Sequence, residues 1–306
     1  MKILLALIKR NTRLLFKDKA LFLTSLIMPV ALLVLYVSFI GNIYTDSLKL
    51  ALPEGVTLSE RLIAGFKGGE LFASVLSVSA VTVAFTANML MVQDKANGAI
   101  LDLAVSPVKP QILAVGYYLS TLAYTLIICL TTAVIALSYI GAVGWYLSIA
   151  DVLLLVLDVI LLCFFGVAVS SVVNFFLGSQ GQISAVGSMV SSTYGFISGA
   201  YMPLSQFPDG IRTVLGFLPG IYGTSLLRGR ALRGVLAAMR EEGLSEEFVL
   251  GVRDGFDLDL YFLGERVGVG AMYGIIAAVA AIALGIYVLL NVLKIKKAGK
   301  SKCTSL

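Results

Sequence analysis

Histidine is absent from this 306-residue chain, which excludes imidazole-based metal sites, HExxH zinc proteases and Ser–His dyads. Cys129, Cys163 and Cys303 fall in two apolar runs and a basic tail, without CxxC or any ligand spacing, and read as packing residues or free thiols. The nearest approach to a phosphate loop, Gly65-Phe-Lys-Gly-Gly69, lacks the GxxxxGK[ST] spacing and the Ser/Thr that would hold Mg²⁺. No catalytic residue, metal site or cofactor is therefore expected in this chain, and no nucleic-acid partner. Segment 93–110 (QDKANGAILDLAVSPVKP) is short, mixed in charge and amphipathic. Ile100, Leu101 and Ala104 can form the apolar face of a brief helix, Asp94 and Asp102 favour polar surroundings, and Ser106-Pro107 stops that helix before Pro110 starts the next. The same residues also fit an ordinary helical hairpin loop.

Two further sets are polar within apolar surroundings. Ser74, Ser77, Thr82, Thr86 and Asn88 are polar enough to line a pathway, or they bond back to their own helix. Ser184, Ser188, Ser191, Ser192, Gly195, Ser198 and Gly199 put small residues at i, i+4 spacing, which suits close helix approach at a dimer seam or inside one subunit. Asp158 is the acid that reads as buried, two turns beyond Asp151. It either faces a protein or water-filled interior, or its span begins later.

The elements that must position these residues are membrane helices. Lys109 and Lys294 are consecutive lysines, and the uncharged runs Ala20–Tyr44, Leu71–Val92, Gln111–Ala150 and Val267–Asn291 are each long enough to cross a hydrocarbon layer of about 30 Å at ~1.5 Å per residue. A composition of 58% hydrophobic and 13% charged residues, with a mean hydropathy of +0.95, agrees. Gly141, Gly144 and Trp145 divide the third run, so spans are expected at about 112–140 and 148–173; a fifth at 183–202 ends at Pro203. The expectation is an all-α polytopic membrane protein with six transmembrane helices. Residues 1–19 form a basic interfacial helix or an extension of the first span, 20–202 hold spans one to five, 203–266 are external, 267–293 are the sixth span, and 294–306 are a basic tail. Lysine and arginine at both ends place both termini in the cytoplasm of a multi-pass plasma-membrane protein. Residues 203–232, broken by Pro203, Pro208, Pro219 and Gly220, are apolar pieces too short to span and suit re-entrant helices; 233–266 read as a small polar cap.

With its acidic Asp94, Gly98, the pair Ile100-Leu101 and Ser106-Pro107, segment 93–108 resembles the first intracellular coupling helix of type-2 ATP-binding-cassette exporter permeases. Ile197–Pro208 (ISGAYMPLSQFP), followed by FLPG at 217–220 and Leu227-Arg228, is similar to the end of that family's fifth span and its external re-entrant helices. The basic amphipathic start, followed by an apolar span containing Pro29, resembles it too. Asp94 stands where a glutamate is usual and Ala99 where a threonine is common. The resemblance implies a permease with six helices, an ATPase-coupling set of Asp94, Gly98, Ile100, Leu101, Asp102 and Pro107, and a second permease copy or paralogue. It also implies a separate nucleotide-binding ATPase subunit that carries the ATP and Mg²⁺. Substrate would be a drug, an antimicrobial peptide or a lipid-linked molecule, and the 203–208 turn looks most like the drug-resistance branch. A secondary transporter, an intramembrane enzyme and a non-transporting assembly subunit are the rival readings.

Overall fold

The computed structural model describes residues 2–53, 56–100 and 108–303, the side chains of 295–303 excepted. The basic N-terminal stretch forms α1 (Lys2–Lys17), which buries Leu7, Asn11 and Leu15 on one stripe and leaves Lys9, Arg13 and Lys17 exposed opposite it. Asp18 then caps α2 (Lys19–Leu35), its carboxylate accepting from the Leu21 amide at 3.0 Å. A π-helical turn at Tyr36–Ile40 joins α2 to α3 (Gly41–Leu50), so one helical path runs Lys19–Leu50.

Ser59 caps α4 (Glu60–Ala87), with Glu60 in its first turn. The second span therefore begins well before Leu71, and Lys67 and Glu70 are drawn into the helix. After Asn88 the path continues as α5 (Met89–Ala96). Pro110 opens α6 (Pro110–Val143), and a Ser148–Asp151 capping box opens α7 (Ile149–Phe175). The next helix, α8 (Gln180–Ile197), ends before a left-handed Gly199 (φ 71°) rather than at Pro203. Beyond a 3₁₀ turn at Leu204–Gln206 come α9 (Asp209–Gly216), α10 (Gly220–Ala231), α11 (Arg233–Glu241) and α12 (Glu246–Gly255). A small antiparallel hairpin, β1 (Tyr261–Phe262) with β2 (Glu265–Arg266), leads into α13 (Val269–Cys303).

The centre of the bundle is α4. It packs against α2, α6, α7, α8 and α10, and every residue from Gly68 to Phe85 is buried. Helix α13 lies at the periphery and buries only a stripe through Met272, Ile276, Ala280 and Tyr287. Arg10 of α1 bonds Asp94 of α5, while Lys95 and Lys294 both sit over the Phe175 ring. The start of the chain and the end of α13's described side chains thus share one end of the bundle. Helix α8 begins at that end and finishes against Arg228 at the other.

Among the described residues, five helical paths are long and apolar enough to cross a membrane: Lys19–Leu50, Glu60–Ala96, Pro110–Val143, Ile149–Phe175 and Val269–Lys294. The expected fifth span, 183–202, corresponds to α8, which falls short because its 18 residues carry Gln180, Gln182 and a run of hydroxyls.

Candidate functional site

Helices α4 and α5 carry one acid near each end, Glu70 and Asp94. At ~1.5 Å per residue they lie roughly 36 Å apart, a little more than a hydrocarbon core. Each is the centre of a charged cluster, and the two differ in make-up.

At the end shared by α1, Asp94 accepts from Arg10 Nη1 at 2.9 Å and from Tyr117 Oη at 2.6 Å. Arg10 also donates to Asn11 Oδ1 at 2.8 Å. The Arg10 side chain is 36% exposed and that of Asp94 11%. One ion pair thus fastens α1 to α5 and α6. Next to it, Lys95 Nζ donates to the carbonyls of Asn174, Phe175 and Leu177 at 3.2, 2.7 and 3.4 Å, placing a cation on the C-terminus of α7.

At the other end, Arg228 of α10 is buried with Glu70. Its Nε donates to Glu70 Oε2 at 2.8 Å, and its Nη2 donates to Tyr44 Oη at 2.9 Å and to the Gly199 carbonyl at 2.8 Å. Asp257 lies 3.6 Å from Nη1 and accepts from the Leu204 amide at 2.5 Å. Burial pushes the Asp257 carboxyl above its usual value, against the pull of Arg228 and the Leu204 amide. Two more arginines follow on this stretch. Arg233 pairs with Asp151 at 3.3 Å, and Arg230 lies close enough to Asp158 to act on it through space.

Between the clusters the polar residues of α4 are consumed inside the bundle. Ser74 donates to Tyr36 Oη at 3.1 Å, Ser77 bonds Thr224 at 2.5 Å, and Thr82 and Thr86 bond back to their own helix. Asn88 Nδ2 donates to Ser170 and Ser171 at 2.6 and 3.3 Å, and Asn88 Oδ1 accepts from Thr121 at 3.2 Å. Ser74, Ser77, Thr82 and Asn88 are buried and Thr86 half-buried.

Asp158 was singled out as the buried acid. It is buried, deep within α7, which begins at Ile149, and Tyr273 donates a hydrogen bond to it. It is not alone: Glu70, Asp94, Asp151, Asp257 and Asp259 are buried as well, because partners folded from distant sequence surround them.

Of the small residues on α8, Ser184 and Ser188 are exposed and Ser191 is half-buried. Gly195 lies against the Tyr201 ring and Ser198 is buried, so these two serve the subunit's own packing. In the segment expected to couple to an ATPase, residues 93–96 finish α5 and Gly98 takes a left-handed φ of 78°. The segment is therefore not one helix from 93 onward; a new helical stretch opens at 99 and 100. Ile100 is half-buried; Leu101, Asp102 and Pro107 lie outside the described residues.

Glu70, Arg228, Asp257, Tyr44 and Arg10 were not recognised as site residues from sequence. One signal was present: a helix begun at the Ser59 cap carries Glu70 to membrane depth, where a carboxylate needs a cation.

A family model described as ABC-2 type transporter matches residues 3–231. A comparison with curated proteins finds no match.

Proposed function

The chain belongs to the ABC-2 type transporter family, and from that premise we propose that it is the permease half of an ATP-driven exporter worked by a separate ATPase. The family makes it a membrane permease component rather than the ATPase. The observation that carries the rest is the single buried path α4–α5 with a charged cluster at each end. In this reading the basic end faces the cytoplasm, where the ATPase bears on the segment after Gly98. The Arg10–Asp94–Tyr117 contacts then oblige α1, α5 and the base of α6 to move together, and α4 carries that motion to the Arg228 end.

Six crossings fit the path better than five. Helix α1 and Lys294 of α13 share one face of the bundle, as an even number of crossings between them would give, and α8 runs between the two faces although it is too polar to qualify by composition. Helices α9 and α10 are then re-entrant from the outer side, α10 being buried against α4 and α7. Exposed Ser184 and Ser188 leave α8 free to meet a second permease copy or paralogue. The substrate class is hydrophobic or amphipathic, moved outward by alternating access in the manner of the drug-resistance branch. An ion-coupled carrier is less well supported, since Asp158 is engaged by Tyr273 with Arg230 nearby.

The test is reconstitution with the cognate nucleotide-binding subunit. ATP-dependent outward movement of an amphipathic dye should require both chains. Hydrolysis by this chain alone, or transport driven by an ion gradient without ATP, would overturn the reading.

A further inference from the structure

Helix α8 is thinly packed along its length and firmly held at one end. Within it only Ile183 and Gly195 are buried, and its neighbours are α4 and α5. At its far end Gly199 reverses the chain, and the amides of Ala200 and Tyr201 return to the Gly195 carbonyl at 2.9 and 3.0 Å. A Cβ on Gly199 would meet Leu204 at 2.9 Å with φ already positive, so the turn admits little else.

Four bonds fasten this turn to the rest of the molecule. Arg228 donates to the Gly199 carbonyl, Tyr44 Oη to the Ala200 carbonyl at 3.4 Å, the Leu204 amide to Asp257, and Ser205 Oγ to the Gly255 carbonyl at 2.7 Å. Two of the four go through charged groups: Arg228, which is held in turn by Glu70 on α4, and Asp257, which lies 3.6 Å from Arg228. A buried cluster of this kind favours two arrangements over anything between, because a half-satisfied charge away from water is costly. Glu70 Oε1 and Ser198 Oγ are buried without a partner among the described residues, and water entering at this point would satisfy both.

We propose that Glu70, Arg228 and Asp257 form a latch that holds the end of α8 shut against α3, α4 and the 254–260 stretch, and that displacement of α4 releases it at the 198–204 turn. Arg228 is a positioning residue in this scheme: it contacts the turn and reports the position of α4 to it. The proposal rests on the permease reading, in which α4 moves when the ATPase works.

The experiment uses the full chain with its ATPase, Cys129, Cys163 and Cys303 replaced by alanine, and Ser198→Cys as the reporter. Labelling by a membrane-impermeant maleimide in intact cells should be slow in this background. Glu70→Gln and the isosteric Tyr44→Phe should each accelerate it about tenfold, the loss of roughly one charge-assisted bond. Asp151→Asn, which cuts the Arg233 pair away from the turn, should leave it unchanged. Unchanged labelling in Glu70→Gln and Tyr44→Phe, or equal acceleration by all three variants, would overturn the latch. A separate arm compares the reporter with the nucleotide-trapped and nucleotide-free ATPase. Faster labelling in Glu70→Gln with no nucleotide dependence in the reporter background would remove alternating access and leave the latch standing.

Discussion

The two ends of the α4–α5 path each present an acid to an arginine, yet they solve different problems. Arg10 and Asp94 meet near water, with the arginine about a third exposed; such a pair contributes on the order of 1 kcal/mol or less, and its Tyr117 hydrogen bond a similar amount. It ties helices together without making either helix depend on it. Arg228 and Glu70 are 1% and 0% exposed. Pairing there offsets a large desolvation cost rather than adding stability, and the same contact distance carries a much larger penalty for removing one partner. A cluster near water is adjustable, and a buried one is all or nothing. That contrast suits the proposed division of labour, in which one end follows a separate ATPase and the other is latched.

The contrast breaks most readily at the buried end. Glu70→Ala leaves Arg228 uncompensated and should cost about 3–5 kcal/mol, read as loss of the monodisperse peak in detergent. Retention of wild-type stability would mean that water already solvates this cluster. At the other end the large effect lies in the coupling segment: Leu101→Asp should abolish ATPase co-purification and transport, at a cost of several kcal/mol to the docked contact. The variant should still reach the membrane in near-normal amount, and normal transport would reduce the segment to a connector. Asp94→Asn should be milder, about 1–2 kcal/mol with Tyr117 retained as donor, and should lower transport per ATP hydrolysed more than it lowers the thermal midpoint. A fall in stability as large as that of Glu70→Ala would erase the comparison.

The smallest effect concerns Asp259. Burial acts to raise its carboxyl, but the guanidiniums of Arg253 at 2.7 Å and Arg266 at 2.5 Å outweigh it and hold the group below the usual value. A depressed folded value gives stability that is present above the ordinary carboxylate pKa of about 3.9 and is lost as pH falls through the lower folded value. The difference in thermal midpoint between wild type and Asp259→Asn should therefore be constant from pH 8 to about pH 5 and should shrink below about pH 4. A difference that already shrinks at pH 6 would contradict this sign.

Much of the fold could be read from charge spacing. Uncharged runs located the apolar helices, and the expected starts at about 112, 148 and 183 fall within a few residues of Pro110, Ile149 and Gln180. Helix α4 starts well before the uncharged run Leu71–Val92 for a physical reason: Lys67 donates to the Val37 carbonyl and Asn42 Oδ1 at 2.9 and 2.7 Å, and the charge of Glu70 is met by Arg228. Charge spacing cannot see a counter-ion that arrives from more than a hundred residues away. The polar residues of α4 were legible as unusual, but whether Ser77 faces a pathway or Thr224 is decided by tertiary packing. Asp94 was found for its place in a motif; its engagement with Arg10 and Tyr117 needed α1 folded back beside α5.

The polarity of α8 bears on how the chain is made. Its glutamines and hydroxyls would partition poorly into lipid as an isolated segment. On the six-crossing proposal, α8 inserts against a protein surface, and α4 and α5, already synthesised, supply it. A glycosylation acceptor placed in the exposed stretch 241–243, downstream of α8, should be modified efficiently in the full chain but poorly when the chain from α7 onward is presented without α4; equal modification would show that α8 enters the bilayer unaided. On that proposal, biogenesis of this protein is tied to the order of its helices along the message, with the second span as the scaffold on which a later and more hydrophilic one is threaded.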